Sequence, residues 1–438
     1  MKIDDLIVGL ETPAGRRRLA RLAARGGTIG RDVERDVVRI LADVRRRGDA
    51  ALLAYTRRFD GLDTGARGLV VPRAMLAAAW EAQPPSVRRD LALAARRIRA
   101  FHRRQRSASW RMRDGQGARL GIRVRPLERV GLYVPGGRAA YPSTVLMTAI
   151  PARVAGVPSL VAVSPAGAGG HHPVMLAACH VAGVDTLYRV GGAQAVAALA
   201  YGTRTIAAVD KIVGPGNAWV ATAKRLVYGT VDIDSIAGPS EVLIVADGSA
   251  RPDLVAADML AQAEHDPVAA AMCVTTSAVL ARRVAAALAE QLAALPRRTT
   301  ATRALARFGA IFVAPTRAAV LDLVNRLAPE HLGLMVRRPR AWLADVRHAG
   351  AIFVGSGAPE AFGDYLAGPN HVLPTGGTAR FASPLGVWDF QKRSTIIEVG
   401  ATTLARLGPA VARLARLEGL EAHARSVERR LAPARGAT

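Results

Sequence analysis

Two cysteines, Cys179 and Cys273, are all that 438 residues contain, so no disulfide framework can stabilise the fold. Both sit in apolar surroundings ("LAACHVAG", "AAMCVTTS") and read as buried thiols of a reducing, cytoplasmic compartment. No apolar run approaches the roughly 18–20 residues of a membrane span. The opening "MKIDDLIVGLETPAGRRR" has a short apolar run between acidic residues, unlike a secretory leader. No membrane partner is expected. Lysine is nearly absent as well: it occurs at Lys2, Lys211, Lys224 and Lys392, and arginine supplies the other 56 of the 60 basic residues. The net charge of +25 would by itself suggest a polyanionic partner. Yet the arginines are dispersed among Ala, Leu and Val, and aromatics make up only 5% of the chain. A compositional bias toward arginine accounts for the charge. No specific nucleic-acid partner is expected, only weak, salt-sensitive binding to polyanions.

Motifs are missing too. "GPGNAW" places Trp219 where a G-x-G-x-x-G dinucleotide fingerprint needs its last glycine. Cys-x-x-Cys and His-Glu-x-x-His are absent, which removes the strongest zinc signatures. So are Gly-x-Ser-x-Gly and the Gly-rich Lys-Ser/Thr loop, which argues against serine hydrolases and phosphate-loop NTPases.

Half of the residues are hydrophobic and the mean hydropathy is +0.16, fitting a compact enzyme of more than one domain. Residues 1–25 read as a helical arm. Residues 31 to 105 carry long Arg/Ala/Leu stretches whose apolar positions recur at three and four, as amphipathic helices require. From about 122, short β-branched runs alternate with helical stretches roughly every 27 residues, the pattern of a parallel, doubly wound sheet. The alternation resumes after "IDSIAGPSE" with "EVLIVAD", "AAMCVTTS", "GAIFVAP" and "AIFVG". The reading is an α/β fold of two doubly wound, Rossmann-like domains, one inserted in the other. The inserted domain spans 131–237 and the host 26–130 with 238–387. The tail, 388–438, reads as amphipathic helix without a strand.

Three glycine-rich turns, "YVPGG", "RVGGAQ" and "VGPGN", each follow a strand and open a helix. Such turns present backbone N–H groups at positive helix ends and can hold an anion, although tight strand-to-helix turns need glycine in any case. "AQAEHDP" sets Gln262 and His265 three apart, on one helical face, where an amide oxygen and an imidazole can meet one cation; a solvated helix end would look the same. "NRLAPEHLGL" places Glu330 and His331 side by side at a helix-to-strand junction, where a carboxylate and an imidazole can divide proton transfer. "GDYLAGPNHVLPTGG" reads as an irregular polar loop carrying Asp364, Asn370 and His371, and "LEGLEAH" sets Glu418 and His423 on the terminal helix. The Gly/His stretch at 167–173 reads as a solvated surface loop.

Taken together, "YVPGGRAAYPSTVLM", "VGGAQAVAALAYGT", "KIVGPGNAWVATAKR", "DSIAGPSEVLIVAD", "AQAEHDP", "NRLAPEHL", "GAIFVGSGAPEAFGDYLAGPNHVLPT" and "LEGLEAH" resemble, in order, the histidinol dehydrogenase family. The resemblance implies a zinc-dependent enzyme that oxidises L-histidinol to L-histidine through L-histidinal, reducing two NAD⁺. It implies one Zn²⁺ per subunit, held by Gln262, His265, Asp364 and His423, the last from the partner of a homodimer with a shared site. Catalysis would fall to His331 and Glu330. Ser240, His371 and Glu418 would contact substrate beside the metal ligands, and Tyr133, Gln194 and Asn217 would contact NAD, one in each glycine-rich turn. An alternative within the class is a related dehydrogenase of another polar alcohol, such as a sulfonated propanediol. An anionic substrate would call for Arg or Lys where Glu418 and His371 stand.

Overall fold

A computed structural model describes residues 2–26, 30–136, 141–167 and 169–432. Two compact units divide the chain, one of residues 1–105 with 127–390 and one of 106–126 with 391–438.

The larger unit holds two six-stranded sheets. The first is ordered Val70–Val71, Thr186–Arg189, Ser159–Ser164, Arg129–Tyr133, Lys211–Val213, Asp232–Ile233, parallel except for the edge strand Val70–Val71. The second is wholly parallel: Ile7–Gly9, Ala310–Val313, Ala270–Thr275, Glu241–Ala246, His331–Met335, Ala351–Val354. In each, the chain moves outward over three strands, returns to the centre and continues on the other side. The doubly wound expectation holds. Runs such as "EVLIVA" and "AAMCVT" are buried at every residue, as strands covered by helices on both faces must be.

The helices of residues 31 to 105 pack on the first sheet, not on the second as the boundary at 130 implied. Arg31–Arg47 and Asp49–Tyr55 bury Val37, Ile40, Val44 and Leu52 against Tyr133, Val161 and Ile212. Arg73–Glu81 and Pro85–Arg103 bury Leu76, Leu91 and Ile98 on the opposite face, with Val130, Leu132 and Leu160. An amphipathic pattern reveals that a helix has an apolar face, but not which sheet that face covers.

The N-terminal arm is also more than helix. Ile7–Gly9 adds an edge strand beside Ala310–Val313, and the helix Pro13–Ala23 begins at Thr12, whose Oγ1 accepts from Gly15 N at 3.1 Å. In the 167–173 stretch both histidines are engaged. His171 Nε2 lies 3.0 Å from Ser164 O, and His172 Nδ1 caps the helix Pro173–Ala182.

The smaller unit corrects the expectation of an all-helical tail. Gln391–Glu398 is an eight-residue strand, antiparallel to Arg119–Pro126, which pairs in turn with Trp110–Arg113. "KRSTIIE" carries too few apolar residues to announce a strand; its ladder partner lies far away in sequence. The helices Ala401–Leu417 and Glu421–Leu431 follow and meet through Ala412, Ala415 and Ala424.

Candidate active site

One cavity of about 1440 Å³ lies within the larger unit. Its wall combines the carboxyl edge of the first sheet with the amino edge of the second. Ligands of doubly wound sheets ordinarily bind beyond carboxyl ends, at the point where strand order reverses. The first sheet follows that rule: Tyr133 ends one strand at the reversal, and "GPGN" follows its neighbour Lys211–Val213. In the second sheet, the same position is filled by Asp247, which accepts from the N–H groups of Ser249 and Arg337 at 2.9 Å each.

The glycine-rich turns on the first sheet's edge are built tightly. Gly214 sits at φ +115°, and a Cβ there would lie 2.2 Å from Tyr133 O, so only glycine fits. Lys224 Nζ donates to Gly214 O at 2.9 Å and pairs with Asp234, which accepts from Gly214 N at 2.6 Å. Tyr133 Oη accepts from Gly192 N at 3.0 Å, and burial pushes its phenol up to about 12, so it stays neutral. Asn217 Oδ1 caps the helix Ala218–Val227 through Val220 N. Gln194 is buried with Nε2 unpartnered, a donor lacking an acceptor. Tyr133, Gln194 and Asn217 all line the cavity. Gly137 of the first turn lies outside the described residues.

On the opposite wall, Glu330 and His331 stand where the helix Arg317–Leu327 gives way to the strand His331–Met335. Ala328 makes that turn at φ 46°, a left-handed conformation uncommon outside glycine. The register with Glu241–Ala246 begins at Val242 opposite His331, which leaves both backbone groups of Glu241 on that side free. They are taken by side chains. Glu241 N donates to Glu330 Oε2 at 2.9 Å, and Glu241 O lies 3.1 Å from His331 Nδ1. A carbonyl only accepts, so Nδ1 carries the proton and Nε2 holds the free lone pair. Burial lowers the His331 pKa to about 4, so the ring is neutral, and its 3.6 Å approaches to Glu330 and Glu360 are not ion pairs. Burial likewise pushes the carboxyls of Glu330 and Glu360 well above the usual carboxylate range.

Gln262 lies in the last turn of the helix Pro252–Ala263, and His265 lies just beyond it, its N–H directed at Gln262 O at 3.3 Å. Asp364 belongs to the short helix Glu360–Tyr365 rather than to an irregular loop. His265, Glu360 and Asp364 bring ligand atoms within 4.8 Å of one another. Glu360 Oε2 of this cluster, and Oε1 of Gln262 in the same cavity, are buried without a partner. Unsatisfied buried acceptors are costly unless a donor or cation meets them, and these are nitrogen and oxygen donors of the kind zinc accepts. The donor set fits a divalent cation.

His371 Nδ1 lies 3.2 Å from Asp364 O, and burial lowers its pKa. Its neighbour Asn370 is fully engaged: Nδ2 donates to Met147 O at 2.7 Å, and Oδ1 accepts from Val372 N at 2.9 Å. Ser240 lines the cavity one residue before Glu241. Glu418 and His423 belong to the smaller unit. Glu418 ends the helix Ala401–Leu417, and His423 lies exposed on Glu421–Leu431.

Reading the sequence residue by residue missed Glu360, although Glu-x-x-x-Asp at 360–364 places both carboxylates on one helical face. It also missed Asp60, which accepts from Gly191 N at 3.2 Å, and the buried pair Arg25–Glu241. Nothing local in the sequence marks those.

Anion-ready turns at one sheet edge, a neutral imidazole beside a carboxyl at the other, and a cation-ready cluster between them define an α/β oxidoreductase. The comparisons make this specific. The profile of the histidinol dehydrogenase family matches residues 24–431. Histidinol dehydrogenase of Syntrophotalea carbinolica is 56% identical over 413 residues, covering 94% of this chain and 96% of that one. The Rhizobium meliloti enzyme is 54% identical over 92% and 93%. A crystal structure of histidinol dehydrogenase from Elizabethkingia anophelis superposes with a TM-score of 0.89 at 33% identity, covering 95% and 96% of the two chains. The chain belongs to the histidinol dehydrogenase family.

Proposed function

We propose that this chain oxidises L-histidinol to L-histidine, the closing chemistry of histidine biosynthesis, with zinc and NAD as its cofactors. The observation that carries the mechanism is the pairing of Glu330 and His331 on the two backbone groups of Glu241, beside the His265, Glu360 and Asp364 cluster. The sulfonated-alcohol alternative is not favoured, since the relatives at 50–56% identity carry the histidinol dehydrogenase name.

Gln262, His265 and Asp364 would hold the metal, with His423 supplied from the partner copy of a homodimer. Exposed Leu407, Val411, Leu414 and Leu417 follow three- and four-residue spacing along one helix, and this apolar stripe supports such a pairing. When bound, zinc contributes Lewis acidity without redox chemistry and orients the substrate's amine and imidazole. Tyr133, Gln194 and Asn217 would hold NAD⁺, which when bound would supply the hydride acceptor.

His331 Nε2 takes the hydroxyl proton as the alcohol carbon loses hydride, giving the aldehyde. Neutral at working pH and fixed in one tautomer, the ring is ready as a base before substrate arrives. Glu330, a stronger base for its burial, draws a proton from water as the oxygen adds to the aldehyde carbon. The hydrated aldehyde then loses a second hydride. Alcohol, water and two NAD⁺ become carboxylate, two NADH and three protons. His371, Ser240 and Glu418 are the polar contacts that would hold the imidazole and amine. The test is the number of NADH formed per L-histidinol by zinc-loaded protein: two, with histidine as product, supports the reading. One, with free aldehyde, removes the water-activating role of Glu330. None, with zinc bound, overturns the reading.

A further inference from the structure

Arg25, the penultimate residue of the helical turn Ala24–Gly26 after the arm's long helix, is distant in sequence from every residue of the catalytic wall, yet it is buried among them. Its Nη1 lies 3.3 Å from Glu241 Oε2, with side-chain exposures of 4% and 7%. Its Nη2 donates to Val268 O at 2.6 Å and lies 3.4 Å from Ser240 O and 3.5 Å from Pro239 O. The guanidinium stacks 4.7 Å above the Phe308 ring. Glu241 Oε1 accepts from Gly376 N at 3.1 Å. One arginine thus ties together the segment 239–241, the turn before the strand Ala270–Thr275 and the ring of Phe308.

We propose that the Arg25–Glu241 pair is the positioning element of the catalytic dyad, fixing the one residue whose backbone N–H and C=O hold Glu330 and His331. Rigid support matters here because a proton-transfer pair displaced by about 1 Å loses on the order of 100-fold in rate. A buried ion pair is a poor source of stability: a well-packed apolar pair of similar volume usually serves as well or better. What an apolar pair cannot do is hold the carbonyls of Pro239, Ser240 and Val268 from one nitrogen while pairing with the Glu241 carboxylate. Arginine's fixed fork suits that task. The pair touches no reacting atom. It acts through the dyad, so the inference rests on Glu330 and His331 performing the proton transfers.

The experiment compares Glu241→Ala, Glu241→Gln and Arg25→Met with Glu330→Gln and His331→Asn, all zinc-loaded, for kcat, KM and melting temperature. Glu241→Ala is expected to lower kcat about 10–100-fold while KM for NAD⁺ stays within about twofold, because the cofactor turns are untouched. Glu241→Gln keeps an acceptor and should recover part of that loss. In a Glu330→Gln, His331→Asn double background, Glu241→Ala should cost no more than about twofold further, since both groups it positions are gone. An unchanged kcat in Glu241→Ala overturns the proposal. So does an equal loss with and without the dyad, which would make the pair a matter of folding alone. If Glu330→Gln and His331→Asn both turn over normally, the catalytic assignment itself fails, whatever Glu241 does. Arg25→Met serves as the second approach to the same segment; if it melts earlier, the isosteric Glu241→Gln still decides.

Discussion

Glu360 and Asp364 stand one helical turn apart, and their carboxylates converge with the His265 imidazole to within 4.8 Å. Glu360 Oε2 has no hydrogen-bond partner there, and burial holds its carboxyl far above the usual range. A cation would satisfy that oxygen directly or through a shared ligand. Glu360→Gln should therefore weaken zinc retention by about 10–100-fold. Zinc content after dialysis against graded chelator measures this, and retention equal to the unaltered chain removes Glu360 from the metal's surroundings.

Glu330 and His331, in the roles proposed for them, should separate by half-reaction. Glu330→Gln cannot activate water but leaves the imidazole, so it should lose aldehyde oxidation by about 10²–10⁴-fold and alcohol oxidation far less. Single-turnover assays starting from histidinol and from histidinal distinguish the two. Equal losses would assign both steps to one base.

His331 also predicts a pH response. Its folded pKa, about 4, lies below the unfolded value of 6.5 because burial penalises the charged ring. Between those values the unfolded chain binds the proton and the native one does not, so stability falls as pH drops from about 6.5 to 4. Above 6.5 this contribution is constant. The acid limb of alcohol oxidation due to His331 should likewise lie near pH 4, not near 6.5. The difference in denaturation midpoint between the unaltered chain and His331→Asn should be constant above pH 6.5. It should change only below that value; a parallel offset at every pH contradicts a neutral buried ring.

Asn370 joins the loop before His371 to the first sheet's helices, donating to Met147 O and lying 3.4 Å from His102 Nε2. Truncation to Ala leaves a buried carbonyl and the Val372 N–H unsatisfied, which costs about 1–3 kcal/mol. Urea unfolding of Asn370→Ala should show this as a lower midpoint, with KM for histidinol raised because His371 is released.

The exposed stripe Leu407, Val411, Leu414, Leu417 gives a test of the proposed homodimer. Leu414→Glu with Leu417→Glu should yield a monomer by sedimentation, and that monomer should bind zinc more weakly because His423 of a second copy is lost. A monomer with full zinc affinity would show the metal site to be complete within one chain.

The local chemistry was legible in the chain. β-branched runs buried along their whole length could only become central parallel strands. The "VGPGN" turn had to carry glycine, because Gly214 leaves no room for a side chain beside Tyr133. Gln262 and His265 stay within one turn whatever packs against them. The strand Gln391–Glu398 escaped notice because its stability comes from a ladder with residues 119–126, and its own pattern is mostly polar.

Sequence alone determined the alternation of strand and helix, the identity of the chemical groups and their local spacing, since these depend on side-chain type and the short-range geometry of the backbone. Tertiary structure decided which sheet the helices of residues 31–103 cover, and that the site joins the carboxyl edge of one sheet to the amino edge of the other. It also decided that Glu360 joins His265 and Asp364, and that Arg25 reaches Glu241 across more than 200 residues. Burial did the rest: the same Glu330 and His331 in water would be an ordinary carboxylate and a half-protonated imidazole, and only their enclosure makes one a strong base and the other a neutral one.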